Sequence, residues 1–351
     1  MAKARKKLLP KDFEKMLVAG DITKLQAIFD SCDVNARGGY GRQTALAFDQ
    51  CPDTFVRWLV AQGADLSAVD SWGRTPLHAR AGSRRGRIDV LLQLGADVNS
   101  DSASIGSPLH AAAGAQHAEN ARLLLEWGAR VDTVNREGLT PLELGLRECN
   151  NISLEHMVSL AIVLLEAGAK RTSRMKIFVE KIGKEFEWHR ASFNPASVEA
   201  ASTALDRLYE LFDVPPVPRR QIHDVKLLIV LKASSWQEQH QELWQLLVPS
   251  MGHAATIQGE VIRISGRIAY ELEDNGGVNW DAEFNKMADA FLEYVQTGHP
   301  LSSPDYAHAA AIVQEAKRRS GDPARLCKLA VAWVLLNPMP VKLEPAPRYR
   351  R

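Results

Sequence analysis

The sequence contains little that would point to redox, metal or membrane chemistry. Its four cysteines, at positions 32, 51, 149 and 327, are scattered and lack the paired spacing of a metal site. No apolar run approaches the roughly 20 residues that a membrane-spanning helix needs. The basic residues near the start precede no apolar stretch of the kind found in a secretory signal. These absences predict a cytoplasmic protein with reduced thiols and no membrane partner.

The chain also lacks an excess of charge of one sign. Its 43 lysines and arginines nearly balance its 42 aspartates and glutamates, which leaves a formal net charge of +1. A dedicated nucleic-acid binder usually carries a large basic excess, so this balance predicts no nucleic-acid partner. Basic residues gather within residues 3–7 and 348–351, and such runs are typical of solubilising tails.

Signatures of catalysis are missing as well. The glycine-rich stretch 38–41 lacks the lysine that follows in a phosphate-binding loop. His240 and Cys327 have no second ligand or base at the spacing that metal binding or nucleophilic catalysis requires. The sequence therefore predicts a protein that is not an enzyme and that holds no cofactor and no metal.

What the sequence does contain is a repeat of about 33 residues between Tyr40 and Lys170. The copies begin, at intervals of 31, 32 and 33 residues, at Thr44, Thr75, Ser107 and Thr140. Each copy closes in a glycine, at Gly63, Gly95, Gly128 and Gly168. From each of the first three glycines the next copy begins 12 residues later. A fixed step inside a slightly variable repeat indicates a rigid loop between units of one shape, as in a stacked solenoid.

The openings of these copies resemble the ankyrin repeat. The tetrapeptides that match are Thr75-Pro76-Leu77-His78, Ser107-Pro108-Leu109-His110 and Thr140-Pro141-Leu142-Glu143. The proline loses no hydrogen bond at the first helical position, the preceding Thr or Ser can cap the helix, and the closing glycine can end the second helix. The resemblance covers about residues 10–172 and implies that His78 and His110 are structural. The copy that begins at Thr44 departs from the pattern, since it has neither the proline nor the histidine.

The predicted fold class is all-α, with an ankyrin-repeat solenoid followed by a small helical bundle. Apolar residues at spacings of three and four continue beyond the repeats and predict the further helices. The predicted divisions are an N-terminal cap (1–36), ankyrin repeats (37–172), a helical C-terminal cap (173–213), a proline-rich linker (214–222), a helical domain (223–338) and a basic tail (339–351). The run 226–231 has a strand-like composition, but an isolated strand has no partner to pair with.

One polar set in the predicted helical domain has two interpretations. Its members share one helix face at spacings of three and four: Glu260, Arg263, Arg267 and Glu271. The simpler interpretation is a solvated face of ion pairs. The other is a carboxylate site, which would form if Asp281 or Glu283 lay against Glu260.

The resemblance also implies a protein-binding surface made of the turn tips and the first helix of each repeat. The residues predicted to bind a partner are Tyr40, Arg42, Trp72, Arg74, Arg80, Arg84, Arg85 and Glu137. Tryptophan and arginine are enriched in protein–protein hot spots, and these arginines would suit an acidic partner surface. The alternative for the arginines is plain solvation of the surface.

The sequence thus predicts a non-enzymatic scaffold or adaptor that binds another protein. One alternative is an immunity or inhibitor protein that blocks a partner enzyme. A second alternative is an enzyme with its site in the C-terminal helical domain. That alternative requires polar side chains such as Glu260 and Asp281 to converge in one pocket.

Overall fold

The computed structural model describes residues 5–101 and 104–351. Lys3, from the N-terminal basic cluster, lies outside these residues. The described chain is mostly helical and divides into two compact units. The first unit runs to Phe186 and includes Phe193–Val217, and the second consists of Glu187–Ser192 and Pro218–Arg351. The division falls within the predicted proline-rich linker, but it assigns Glu187–Ser192, from the predicted helical cap, to the second unit.

Helices make up most of the first unit. In chain order they are α1 (Phe13–Ala19), α2 (Ile22–Ile28), α3 (Asp53–Ala61), α4 (Pro76–Ala81), α5 (Asp89–Gln93), α6 (Pro108–Gly114), α7 (Ala118–Glu126), α8 (Pro141–Glu148), α9 (Leu154–Glu166), α10 (Ser173–His189) and α11 (Pro195–Phe212). The last residues of α10 are counted with the second unit.

A small sheet accompanies the first helices. Strand β1 (Lys6–Leu8) pairs in parallel with β2 (Cys32–Gly38), and β2 pairs antiparallel with β3 (Gln43–Thr44). The sequence predicts no strand in this region. Strands β1 and β3 have only three and two residues, which is too short to show a pattern. In β2, the apolar residues Cys32, Val34 and Ala36 alternate with polar ones, a strand signal that sequence reasoning missed.

The repeat openings form capped helices, as the Thr-Pro and Ser-Pro openings of the tetrapeptides predict. Thr75, Ser107 and Thr140 each take part in a capping box, and a proline follows each at the start of α4, α6 and α8. The first copy has no proline there, and residues 45–47 form a single 3₁₀ turn instead of an α-helix. The hydroxyl of its Thr44 is buried and has no hydrogen-bond partner among the described residues.

The two histidines of the tetrapeptides connect neighbouring repeats. His78 Nε2 lies 2.8 Å from the carbonyl oxygen of Gly106, and His110 Nε2 lies 3.0 Å from that of Leu139. Burial lowers the pKa of both imidazoles, so the rings are neutral at neutral pH. Their role is structural, as the resemblance implies.

Successive repeats pack helix against helix. The first helices α4, α6 and α8 contact one another in order, and the second helices pair as α3 with α5 and α7 with α9. Leu77, Leu109 and Leu142 are buried between the first helices. Each repeat therefore buries an apolar face only against its neighbours, which is the physical basis of a repeat array.

The second unit is a helical bundle. Its helices are α12 (Trp236–Leu247), α13 (Ile257–Ala269), α14 (Ala282–Tyr294), α15 (Ser303–Lys317) and α16 (Ala324–Leu336). Helix α13 contacts α12, α14 and α16, and it continues into a π-helical turn at Tyr270–Asp274. The run 226–231 forms neither a helix nor a strand.

Residues 339–351, predicted as a basic tail, pack onto this bundle. The backbone N–H of Leu343 donates to the carbonyl of Ala255 at 3.0 Å. Tyr349 is 3% exposed and donates its hydroxyl to Glu260. The segment is therefore part of the folded unit, because apolar burial and specific hydrogen bonds hold it there despite its charge.

The chain's thiols are enclosed in the structure. All four cysteines are free and buried. Burial raises the pKa of Cys51 to about 11 and that of Cys149 and Cys327 to about 12. These three thiols are protonated and poorly nucleophilic at neutral pH. Separately, no helix in the described part of the chain has both the length and the apolarity of a membrane span.

Candidate functional site

Four residues predicted to bind a partner lie at two neighbouring turn tips, and we call Tyr40, Arg42, Trp72 and Arg74 the turn-tip cluster. The rings of Tyr40 and Trp72 have centroids 5.7 Å apart and planes tilted by 39°. The guanidinium of Arg74 lies 4.5 Å from the centre of the Trp72 ring. Tyr40 is 95% exposed and Trp72 is 46% exposed. A pair of large aromatic side chains is therefore open to solvent beside a cation.

The buried carboxylate of Asp70 holds the second of these turns. One of its oxygens accepts the backbone N–H groups of Trp72 and Arg74, both at 2.9 Å. The other oxygen accepts a hydrogen bond from Nε of Arg74 at 2.9 Å and forms an ion pair with its Nη2, also at 2.9 Å. The absence of a side chain at Gly41 lets Trp72 approach the first turn, since a Cβ there would lie 2.3 Å from the indole. Trp72 and Arg74 are thus presented in a fixed orientation.

A groove of about 630 Å³ lies beside the turn-tip cluster, along the exposed face of the first helices. Arg74 lines it at the turns, and Gly82, Ala111 and Gly114 line it along the helices. Because Gly82, Ala111 and Gly114 have little or no side chain, the groove has room there for the side chains of a bound segment.

Glu137 lies in the same groove, where it is already paired. It forms an ion pair with Arg147, whose Nε also donates to Glu148 at 2.9 Å. The hydrogen bond to Glu137 raises the pKa of Arg147. All three side chains are at least one-third exposed, and exposed pairs of this kind are weak enough for a partner's carboxylate to replace one member.

Sequence reasoning missed Arg147, although the repeats contain a signal for it. Gly82, Gly114 and Arg147 each follow their capping Thr or Ser by seven positions, and all three line the groove. Aligning the copies on the cap residue would have identified this position.

Arg80 does not belong to this surface, so its predicted exposure is wrong. The side chain is 0% exposed. Its Nε donates to the carbonyl oxygen of Leu46 at 2.8 Å, and its terminal nitrogens donate to the carbonyls of Arg87 and Cys51 at 3.3 and 3.4 Å. Burial lowers its pKa, although nearby acidic groups oppose that effect. Arg80 is a structural residue between the first and second copies.

Arg84 and Arg85 are exposed, but they lie away from the turn-tip cluster. Both belong to the loop between α4 and α5, at the opposite end of α4 from Arg74. The six residues of α4 span roughly 9 Å. Arg84 borders a separate cavity of about 400 Å³ that is also lined by His117 and His156.

The repeat geometry agrees with a comparison against protein families. Residues 43–135 match the model of a family described as ankyrin repeats, in three copies. This part of the chain is an ankyrin-repeat array. The predicted all-α fold is confirmed, and the helices continue beyond the matched segment as the predicted extension. No curated protein matches the chain. Ankyrin repeats serve as scaffolds for protein–protein interaction, which identifies the general kind of partner.

The polar set of α13 is not the solvated face that the sequence predicts. Glu260 and Arg263 have side chains that are 0% and 2% exposed, because α12, α14 and α16 enclose α13. The alternative, a carboxylate site made by Glu260 and Asp281, does not form. Asp281 accepts two backbone N–H groups at the start of α14 and pairs with Arg351, whereas Glu260 is bound by Arg263.

Proposed function

We propose that the chain is a non-enzymatic scaffold of the cytoplasm that binds another protein with its ankyrin repeats. The turn-tip cluster and the groove beside it make the contact. The observation that carries the proposal is the neighbouring pair of Tyr40 and Trp72, which is exposed although Asp70 holds the Trp72 turn in place. Rigid, exposed aromatic side chains next to arginine are the composition of an interface hot spot.

The charges of the site favour a partner segment that carries carboxylates. Arg42 is exposed beside the aromatic pair, Arg74 is partly exposed, and Arg147 lies in the groove. A carboxylate can bind these guanidinium groups while an apolar side chain packs on the rings. Arg84 and Arg85 join the contact only if the partner extends past the far end of α4.

Replacing Tyr40 and Trp72 together by serine is expected to weaken partner binding by at least roughly thirtyfold, because hot-spot aromatics contribute about 2 kcal/mol or more. Arg74 is kept, since its removal would leave the buried carboxylate of Asp70 without its cation. The measurement uses the full chain as bait in a lysate of the native host. Captured proteins are quantified for the wild type and for the double variant.

The matched control is Trp127→Ser, because Trp127 is 50% exposed and follows α7, a second helix outside the groove. This variant is expected to capture the same protein as the wild type. Circular dichroism verifies that both variants keep their helical content. Unchanged capture by the double variant, or equal loss in the control, would exclude the turn-tip cluster as the binding site.

A further inference from the structure

The second unit contains a pocket of about 500 Å³ that the scaffold function does not use. Its volume is in the range of roughly 300–1,000 Å³ that is typical of sites for small organic ligands. Its lining includes the aromatic residues Trp188, Trp244, Tyr270 and Phe284 and the cations Arg263, Arg267 and Arg351.

Helix α13 positions two of the three arginines of this pocket. Arg263, Arg267 and Tyr270 follow at spacings of four and three, so they share one helix face. Gly266 lies on the same face, and a Cβ there would lie 2.4 Å from the Trp244 ring. The glycine therefore lets the indole lie flat against the helix. The π-helical turn begins at Tyr270, and such turns recur at binding and catalytic sites.

The three arginines differ in what they already bind. Arg263 donates to Glu260 from Nε and Nη2 at 2.9 and 2.6 Å, and Arg351 pairs with Asp281. For Arg267, the described residues offer its guanidinium no hydrogen-bond or ion-pair partner. The Nη1 of Arg263 is also buried without an acceptor in the described structure. Donors in this pocket thus outnumber the acceptors that the protein supplies to them.

Arg267 lies near two other cations, and the described residues give it no ion-pair partner. Burial lowers the pKa of Arg267, and the positive charges of Arg263 and Arg351 lower it further against the opposing effect of nearby glutamates. The lining glutamate, Glu271, keeps its charge but directs its carboxylate to the Asn275 side chain at 2.9 Å and to the backbone N–H of Asn279 at 2.6 Å. An anion at Arg267 would therefore relieve repulsion among the cations.

The side chains of Trp188 and Trp244 indicate the shape of the ligand. The indoles of Trp188 and Trp244 are parallel to within 11°, with ring centroids 6.1 Å apart. The Arg220 guanidinium lies 3.8 Å from the centre of the Trp188 ring, so a flat ligand ring would pack on the indole surface that Arg220 leaves open. We propose that this pocket binds a small organic anion, whose carboxylate or phosphate group pairs with Arg267 while a flat aromatic body lies along Trp188 and Trp244.

The test is isothermal titration calorimetry of the full chain with three probes of one shape: 2-naphthoate, 2-naphthyl phosphate and the neutral 2-naphthamide. At least one anion is expected to bind with a stoichiometry of one, and the amide at least roughly tenfold more weakly. The tighter of the two anions identifies the ligand as a carboxylate or a phosphate ester. This comparison uses the unaltered protein, so it does not depend on a variant that folds.

Arg267→Gln is expected to weaken binding of the preferred anion by roughly ten- to a hundredfold, because it removes a charge-assisted hydrogen-bond donor. Arg267→Lys keeps the charge but loses the planar guanidinium group. Its affinity for the anion should therefore lie between that of the wild type and that of Arg267→Gln. Arg318→Gln makes the same charge change at an exposed position outside the pocket and should bind like the wild type. The proposal is overturned if neither anion binds at about 1 mM, if the amide binds equally, or if a folded Arg267→Gln binds unchanged.

Discussion

Replacing Arg80 by alanine is expected to lower the free energy of unfolding of the repeat unit by about 3–5 kcal/mol. The side chain is fully buried and donates to the carbonyl oxygens of Leu46, Cys51 and Arg87. Alanine would leave three carbonyls without these donors and would open a cavity the size of an arginine side chain. Each unsatisfied buried group costs about 1–3 kcal/mol, and the surrounding helices can close the cavity only in part.

The effect is measured by hydrogen exchange of α4 and α6 in the full chain across a urea titration, which isolates the repeat unit from the second unit. Arg84→Ala is the control, because Arg84 is exposed four positions further along. Arg84→Ala is expected to change the free energy of unfolding by at most about 0.5 kcal/mol. Equal destabilisation by the two variants would show that the hydrogen bonds of Arg80 to its neighbours contribute nothing measurable.

The burial of Arg80 has a cause that is visible in the sequence once the copies are aligned. Arg80, Ala112 and Gly145 each follow their capping residue by five positions. Ala112 is fully buried, and a Cβ at Gly145 would lie 3.0 Å from a neighbouring backbone oxygen. The position therefore faces the preceding repeat and normally holds a small residue. Before Arg80 the preceding repeat has only a 3₁₀ turn, which leaves carbonyl groups for a long side chain to bind.

Helix positions and caps could be predicted because their causes are local. A segment around Trp236 to Leu247 is predicted within the all-helical C-terminal part, and α12 spans Trp236–Leu247. The Thr-Pro and Ser-Pro openings likewise predict the starts of α4, α6 and α8. Side-chain exposure depends on distant residues and could not be predicted in the same way. Glu260 is covered in part by Tyr349, which lies 89 positions away in the chain.

The candidate site shows the same division between local and distant causes. The turn tips could be placed from the repeat, and the neighbouring copies bring Tyr40 and Trp72 together. The pairing of Arg74 with Asp70 sets how that cluster is held, and the pairing of Glu137 with Arg147 sets which charges in the groove are free. Spacing alone does not determine which of several possible partners a charged side chain takes.

Glu260→Gln is expected to lower the free energy of unfolding of the second unit by about 3–5 kcal/mol. This is the cost of removing one charged partner of a buried ion pair. Glu260 accepts two hydrogen bonds from Arg263, one from the backbone of Ala254 and one from Tyr349. The glutamine would leave the Arg263 charge buried without a counterion. The measurement is urea unfolding of the full chain, followed by hydrogen exchange of α13 and α16.

Two comparisons separate the buried pair from ordinary charge effects. Asp322→Asn removes one member of the exposed pair with Arg325 and should cost at most about 1 kcal/mol. The double variant Glu260→Leu with Arg263→Met removes both charges and should be more stable than Glu260→Gln, because no charge is left unpaired. A double variant that is less stable than the single one would show that the unpaired Arg263 charge is not the main cost of Glu260→Gln.

The same carboxylate predicts how the second unit responds to acid. Burial opposes ionisation of Glu260, but the hydrogen bonds and charge of Arg263, with Tyr349 and Ala254, outweigh it and hold its pKa below the usual 4.5. The folded state therefore binds fewer protons at this group than the unfolded chain does. Its contribution to stability is complete above pH 4.5 and is lost as the pH falls through the lowered pKa. The difference in unfolding free energy between the wild type and Glu260→Gln should accordingly be constant near neutral pH and shrink in acid. A difference that stays constant in acid would show that Glu260 is not ionised in the folded protein.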